Sequence, residues 1–243
     1  MPHVLHVDLK FASRQLLKSA GFDGMAVLTL ALAIGTNSGI TTIASAADCN
    51  LGELAKANKI EVFNRALDQT KADSPQAVFL NAAQGDGLAW IAGVELSEGT
   101  IELELRGTNQ PGRSFVGIAF HGQDNRAFDA VYLRPFNFQM GEQERRSHSI
   151  QYISMPEHDW SELRNSHPGK YEFAITPAPD PDSWVRLKLV VKEKNLAAFV
   201  NGSDMPALTV ELLNDRPKGK VGLWVGNGSF GWFRNLKVIP ASK

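Results

Sequence analysis

Beyond residue 77, apolar and polar residues alternate at a spacing of two in one short run after another. Alternation at that period marks a strand with one face buried and the other in solvent. The densest stretch, Phe115–Phe138, reads FVGIAFHGQDNRAFDAVYLRPFNF and predicts a central hairpin. Its runs Phe115–Phe120 and Phe128–Arg134 pair across a polar turn at Gln123–Arg126. Gly99–Gly107 sets Ile101, Leu103 and Leu105 against Glu102, Glu104 and Arg106. Similar patterns predict strands at Val78–Asn81, Leu88–Val94, Ser149–Ser154, Tyr171–Ile175, Trp184–Val191, Leu196–Val200, Leu208–Leu212, Gly219–Gly226 and Phe230–Val238.

The intervals carry turn chemistry: Gly85-Asp86-Gly87, Asn109–Gly112, Lys192–Asn195 and Asn201-Gly202. Pro177–Pro181 holds three prolines and is irregular, and the polar stretch Met155–Lys170 reads as a long loop. Upstream, Leu51–Leu67 has a mixed helical pattern interrupted at Asn58–Glu61, Lys59–Phe63 fits a first strand, and Asp68–Gln76 is an irregular lead-in. More than ten short strands and no long helix after Leu67 indicate an all-β jelly-roll sandwich of two antiparallel sheets. The organisation expected is an N-terminal segment over 1–49, a lead-in with a first strand over 50–76, and the sandwich over 77–240.

Composition narrows the function. The chain has 243 residues and a formal net charge of -1, which gives no electrostatic basis for binding DNA or RNA. Its single cysteine, Cys49, excludes an internal disulfide and a thiolate zinc cluster. His158 and His167 are too far apart for a defined zinc motif. Twenty-one glycines and thirteen phenylalanines suit many tight turns around an aromatic core.

The N-terminal segment has a different character. Lys10, Arg14 and Lys18 precede the uncharged run Met25–Ile34, and small residues follow at Ala44-Ser45-Ala46. A basic flank before an apolar run predicts an N-terminal hydrophobic helix, an export signal or a membrane tether through residues 25–47, with the rest of the chain facing outward. Asp8–Thr42, with Arg14–Lys18, Gly21–Phe22 and Leu28–Gly35, resembles the first membrane helix of MacB-like ABC-transporter permeases. No further permease helix follows, so the likeness implies membrane insertion and not transport.

The C-terminal third carries a second resemblance. WVRLKLVVKEKNLAAFVNG and GKVGLWVGNGSFGWFRNLKV resemble the last strands of concanavalin A-like lectin/glucanase domains, in their LamG-like and glycoside-hydrolase-16-like forms. The matching residues are Trp184 and Arg186, Val200–Gly202, Gly219–Leu223 and Phe233–Val238. The likeness implies the same sandwich over about 60–239, with Phe233 and Leu236 in its core and Asn235 at a turn. Family 16 hydrolases carry their nucleophile and acid on a Glu-x-Asp-x-x-Glu strand, and this chain has no such segment. The family therefore implies carbohydrate as the partner, with glycoside hydrolysis on a different catalytic pair and a LamG-like interaction module as alternatives.

Asp129, Tyr132, Arg134 and Asn137, with His148, Gln151 and Tyr152 on the next strand and Trp160 beyond, form the strongest polar and aromatic constellation. Such a set suits a sugar: aromatic faces cover the apolar side of a ring while polar groups bond its hydroxyls. By strand parity Tyr132 and Arg134 share a face and Asp129 takes the other. The bland account is a capping Asp129, a surface-paired Arg134 and a half-core Tyr132. Candidates for catalysis are Glu102, which shares a face with Glu104, together with Asp129, His121 and His148. No organic cofactor is expected; a structural calcium at His121, Asp124 and Asp129 is an alternative use of those residues. Trp224, Trp232 and Phe230 flank a glycine-rich turn and suit either a stacking platform or plain core packing.

Overall fold

The structure, a computed structural model, describes residues 46–242. Most of the 1–49 segment, including the resemblance over Asp8–Thr42 and nearly all of the proposed tether at 25–47, lies outside the described residues. Among the described residues no helix is long and apolar enough to cross a membrane.

Two antiparallel sheets of seven strands each face one another and bury one continuous core. The first sheet runs β1 (Ala47–Cys49), β14 (Gly231–Pro240), β5 (Gly99–Arg106), β10 (Val185–Lys192), β11 (Asn195–Val200) and β12 (Leu208–Glu211), with β3 (Val78–Leu80) also on β14. The second runs β2 (Ile60–Phe63), β4 (Gly87–Leu96), β13 (Gly219–Val225), β6 (Val116–Gly122), β7 (Phe128–Leu133), β8 (Ile150–Met155) and β9 (Glu172–Phe173). Strands distant in sequence lie side by side, as in a jelly roll. The first and last described strands meet: β1 pairs with β14 from Ala47↔Val238 to Cys49↔Leu236.

The first sheet behaves as its pattern predicts. Along β5, Ile101, Leu103 and Leu105 are buried while Glu102 and Glu104 face outward. These carboxylates sit between basic rows on β10 and β14. Arg234 Nε donates to Glu104 at 2.8 Å, and Lys188 and Lys237 stand opposite Glu102 in register. Asn235, expected at a turn, lies inside β14 instead, with a φ of 55° at an irregularity of the β14–β5 pairing.

The second sheet departs from the alternation. The hairpin forms as predicted, with Val116↔Leu133 through Phe120↔Asp129 in register, yet every residue of β6 and β7 is buried. The cause is a second covering on the outer face. A 3-10 turn at Pro135–Asn137, α2 (Gln143–Arg146) and α3 (Trp160–Ser166) fold back over the outward-facing side chains. α3 lies inside the stretch Met155–Lys170, which the polarity predicted as loop. Its cap is Asp159, whose Oδ1 accepts from the Ser161 and Glu162 N–H groups at 2.7 and 2.8 Å. The helical pattern at Leu51–Leu67 contracts to α1 (Leu51–Lys56) followed by β2. α1 is tied into the sandwich where Gly52 N–H donates to Gln76 O at 3.2 Å.

Candidate functional site

Register fixes which side chains share the outer face of the second sheet. Trp224 lies opposite Leu88 on one side and Gly117 on the other, Gly117 opposite Tyr132, and Tyr132 opposite Gln151. The next row reads Trp90, Gly222, Ala119, Ala130 and Ile153. Glycine and alanine hold the middle of these two rows, with larger side chains toward their ends. A Cβ on Gly117 would strike Val131 O and the Tyr132 Cβ, so only glycine lets β6 and β7 approach here. A cavity of about 630 Å³ opens beside Trp224 and Tyr132. Its walls include Phe115, Tyr132, Phe136, Trp224 and, at the rim, Trp160, which is 50% exposed.

One polar network closes the β7–β9 side. Tyr132 O–H donates to Gln151 Oε1 at 2.8 Å, and the Arg134 guanidinium donates to the same Gln151 oxygen and to Tyr132 Oη. Arg134 also donates to His148 O at 2.9 Å and stacks over the Tyr132 and Phe115 rings. Behind it stands Glu172, 5% exposed. Arg164 clamps that carboxylate with bonds of 2.8 and 2.7 Å, and His148 Nδ1 lies 2.8 Å from it. Burial works against the Glu172 charge, but the Arg164 hydrogen bonds and the charges of Arg164, His148 and Arg134 outweigh it and hold the carboxyl below its ordinary range. Burial pushes the Tyr132 phenol up to about 12, so it stays a neutral donor.

The opposite side of the cavity carries Asp86, just before β4, and Asp159. Burial raises the Asp86 carboxyl; Arg65 and the Asn227 backbone oppose that effect and Asp159 adds to it. Asp86 and Arg134 occupy the same end of the sheet, three strands apart, a backbone separation of about 14 Å.

Of the residues chosen from the sequence, Tyr132, Arg134, Asn137, His148 and Trp160 line this cavity, and Gln151 sits directly behind Tyr132 and Arg134. Asp129 and Tyr152 point the other way, into the sandwich. There Asp129 accepts from Tyr152 O–H at 2.7 Å and from Asn214 Nδ2 at 2.6 and 2.7 Å, with Arg216 at 3.2 Å. Burial disfavours the Asp129 carboxylate; His121, Tyr152, Arg216 and Asn214 together still hold its carboxyl below the usual range. His121 lies 3.4 Å from Asp129 and bonds Ser97 O through Nε2. Glu102 is on the far sheet, in a separate polar cavity of about 470 Å³ with Glu104, Arg186 and Lys237. The candidates for catalysis therefore fall in different places: Glu102 on the outer face of the first sheet, Asp129 and His121 in the interior, and His148 alone at the cavity.

The calcium alternative does not fit its three residues. Asp124 spends Oδ1 on the Arg126 and Ala127 N–H groups, and Asp129 already faces a guanidinium and an amide. Calcium needs a shell of convergent oxygens, which this set lacks. Among the described residues no group of three or more His, Cys, Asp or Glu side chains is placed to hold a metal ion.

The strand pattern does not mark Phe115, Phe136, Asp86, Asp159, Arg164 or Glu172 as site residues, and the charge run at Arg145-Arg146 reads as a solvated turn. A capping signal for α3 was present: Asp159-Trp160-Ser161-Glu162 has the acceptor-x-x-Glu form of a helix start. A helix there puts Trp160 and Arg164 one turn apart on one face, and Arg164 stacks over Trp160 at 5.2 Å. Trp224 is packed in the wall, 3% exposed, and lines the cavity.

No protein-family model matches the chain, and no curated protein does. Solved structures do. The carbohydrate-binding module CBM66 from Bacillus subtilis superposes with a TM-score of 0.54 at 13% identity, covering 74% of this chain and 95% of that one. A Bacillus subtilis protein of unknown function with a galectin-like fold gives 0.54 at 15% identity, covering 80% and 96%. A native glycosidic hydrolase gives 0.55 at 9% identity, covering 82% and 97%. At these identities the likeness is one of fold: the chain has the two-sheet jelly roll shared by lectin-like and glycosidase-like sandwiches.

Proposed function

We propose that the chain recognises carbohydrate in the concave cavity of its second sheet, outside the cytoplasm, with residues 25–47 as signal or tether. The observation that carries this reading is the makeup of the cavity. Trp224, Tyr132, Phe115 and the half-exposed Trp160 give it aromatic walls, and fixed polar groups line it at Arg134, His148 and Asn137. A pyranose offers an apolar face for such rings and hydroxyls for such groups. The fold shared with a carbohydrate-binding module and a glycosidic hydrolase supports it at the level of architecture. A glycan array probed with the purified chain tests it. Binding that Trp160→Ala weakens is expected; an array on which the folded protein binds nothing refutes the reading.

Hydrolysis is a second reading, favoured by Asp86 and Asp159 in the same cavity. A carboxyl raised by burial suits a general acid, and a second carboxylate near it suits its partner. Glycans bound on the array are incubated and scored for released reducing ends. Turnover that Asp86→Asn removes without loss of binding supports the enzyme; binding with no product from any bound glycan leaves recognition alone.

A further inference from the structure

The β7–β9 side of the cavity carries more cations than carboxylates. Trp224 is buried in the cavity wall, and its indole Nε1–H has no acceptor among the described residues. Arg145 on α2 lines the β7–β9 side, exposed, with no ion pair among the described residues. The acceptors on that side are already taken: Glu172 is held by Arg164, with His148 and Arg134 beside it. Three cations, Arg134, Arg145 and Arg164, face one carboxylate there, while Asp86 stands about 14 Å away across the sheet. A buried donor without an acceptor is costly, and sites that keep such donors open are completed by an acceptor on the ligand.

We infer that the carbohydrate is anionic, and that its carboxylate or sulfate ester sits between Arg145 and the Trp224 indole N–H. This rests on the carbohydrate reading and names the ligand class for the same cavity. Arg145 supplies a charge that no ion pair among the described residues neutralises, and charge-assisted bonds of this kind are the stronger class. The hydroxyls of the same sugar then fall toward Asn227 and Asp86, on the acceptor-bearing side.

The test is a matched panel: oligogalacturonate and oligoglucuronate with their methyl esters, chondroitin sulfate and heparin oligosaccharides with their desulfated forms, and neutral oligosaccharides. Calorimetry with the full chain and with Arg145→Gln reads the result. The acidic member of a bound pair is expected to bind about tenfold or more tightly than its ester or desulfated form, with a preference that salt weakens. Arg145→Gln is expected to bring the pair to near parity without moving the thermal midpoint, since Arg145 is exposed. Uronates and sulfated sugars separate the two sources of negative charge. Equal binding within every pair, or binders found only among neutral sugars, overturns the anionic class and leaves carbohydrate recognition standing. No binding anywhere on the panel or the glycan array overturns both.

Discussion

The two faces of the β7–β8 pair carry the same kind of motif and put it to different ends. On one face Tyr132 bonds Gln151; on the other Tyr152 bonds Asp129. Both phenols are pushed up by burial. What differs is the cover. On the interior face, the segment after β12 closes over the cluster: Asn214 and Arg216 reach the Asp129 carboxylate, and Leu213 N–H donates to Tyr152 Oη at 3.2 Å. That cluster is completed by the loop between β12 and β13. On the outer face the network borders an open cavity. Polar residues from adjacent strand positions thus serve assembly when a following loop supplies their partners, and the proposed recognition site lies where no such loop closes over them.

Removing the anchor of the closed face is the strongest way to break this contrast. Asp129→Ala strands Arg216, Asn214 and Tyr152 in the interior, and uncompensated buried charge of this kind costs about 3–5 kcal/mol. Urea denaturation should show that loss, with glycan affinity of the folded fraction unchanged. A variant as stable as the parent, or one that keeps its stability and loses binding, would place Asp129 on the wrong side of the comparison.

Acid titration reads both networks at once. The Asp129 and Glu172 carboxyls are depressed in the folded chain, so their stabilisation is present above the unfolded values of about 3.9 and 4.3 and is lost as pH falls through the folded ones. Asp86, raised by burial, works in the opposite direction. The expected outcome is a urea midpoint that declines below about pH 4, with a shallower decline in Asp129→Asn. At the alkaline end Tyr132, raised to about 12, contributes stability that is lost as pH climbs from about 10 through that value. A midpoint flat from neutrality down to about pH 2 would remove the electrostatic account of both clusters.

Much of this architecture is written locally. Ile101, Leu103 and Leu105 show their burial through period alone, and parity already separates Tyr132 and Arg134 from Asp129. The hairpin at Phe115–Phe138 is equally plain, because paired strands and a polar turn are both short-range features. Its full burial is not, since the cover comes from α2, α3 and Pro135–Asn137, whose docking no periodicity encodes. Glu172 illustrates the limit. It lies on a two-residue strand with nothing unusual beside it, and its importance comes from Arg134, thirty-eight positions earlier, and from Arg164 on a helix the polarity concealed. Asp86 is similar: a turn glycine pair flanks it, and only the sheet order brings it to the same end as Arg134.

The open face is sharpened by smaller changes. Trp160 is half exposed at the rim, so Trp160→Ala should move stability by no more than about 0.5 kcal/mol. Loss of its ring as a sugar platform should weaken glycan binding about tenfold, equivalent to about 1.4 kcal/mol. Unchanged affinity in calorimetry would take Trp160 out of the site.

The finest test compares Trp224→Phe with Tyr152→Phe, because each deletes one polar hydrogen from a buried ring. Tyr152 spends its hydroxyl on Asp129 and Leu213, so the phenylalanine should cost about 1–3 kcal/mol and leave affinity alone. Trp224 spends its N–H on nothing in the protein, and burying that unsatisfied donor already costs about 1–3 kcal/mol. Its removal offsets the space left by the smaller ring, whose packing at 4.6 Å from Tyr132 is otherwise retained. Trp224→Phe should therefore stay within about 1 kcal/mol of the parent in urea while its glycan affinity falls about fivefold. The reverse pattern, a destabilised Trp224→Phe that binds as well as the parent, would mean that the indole packs the wall and that no ligand takes its hydrogen bond.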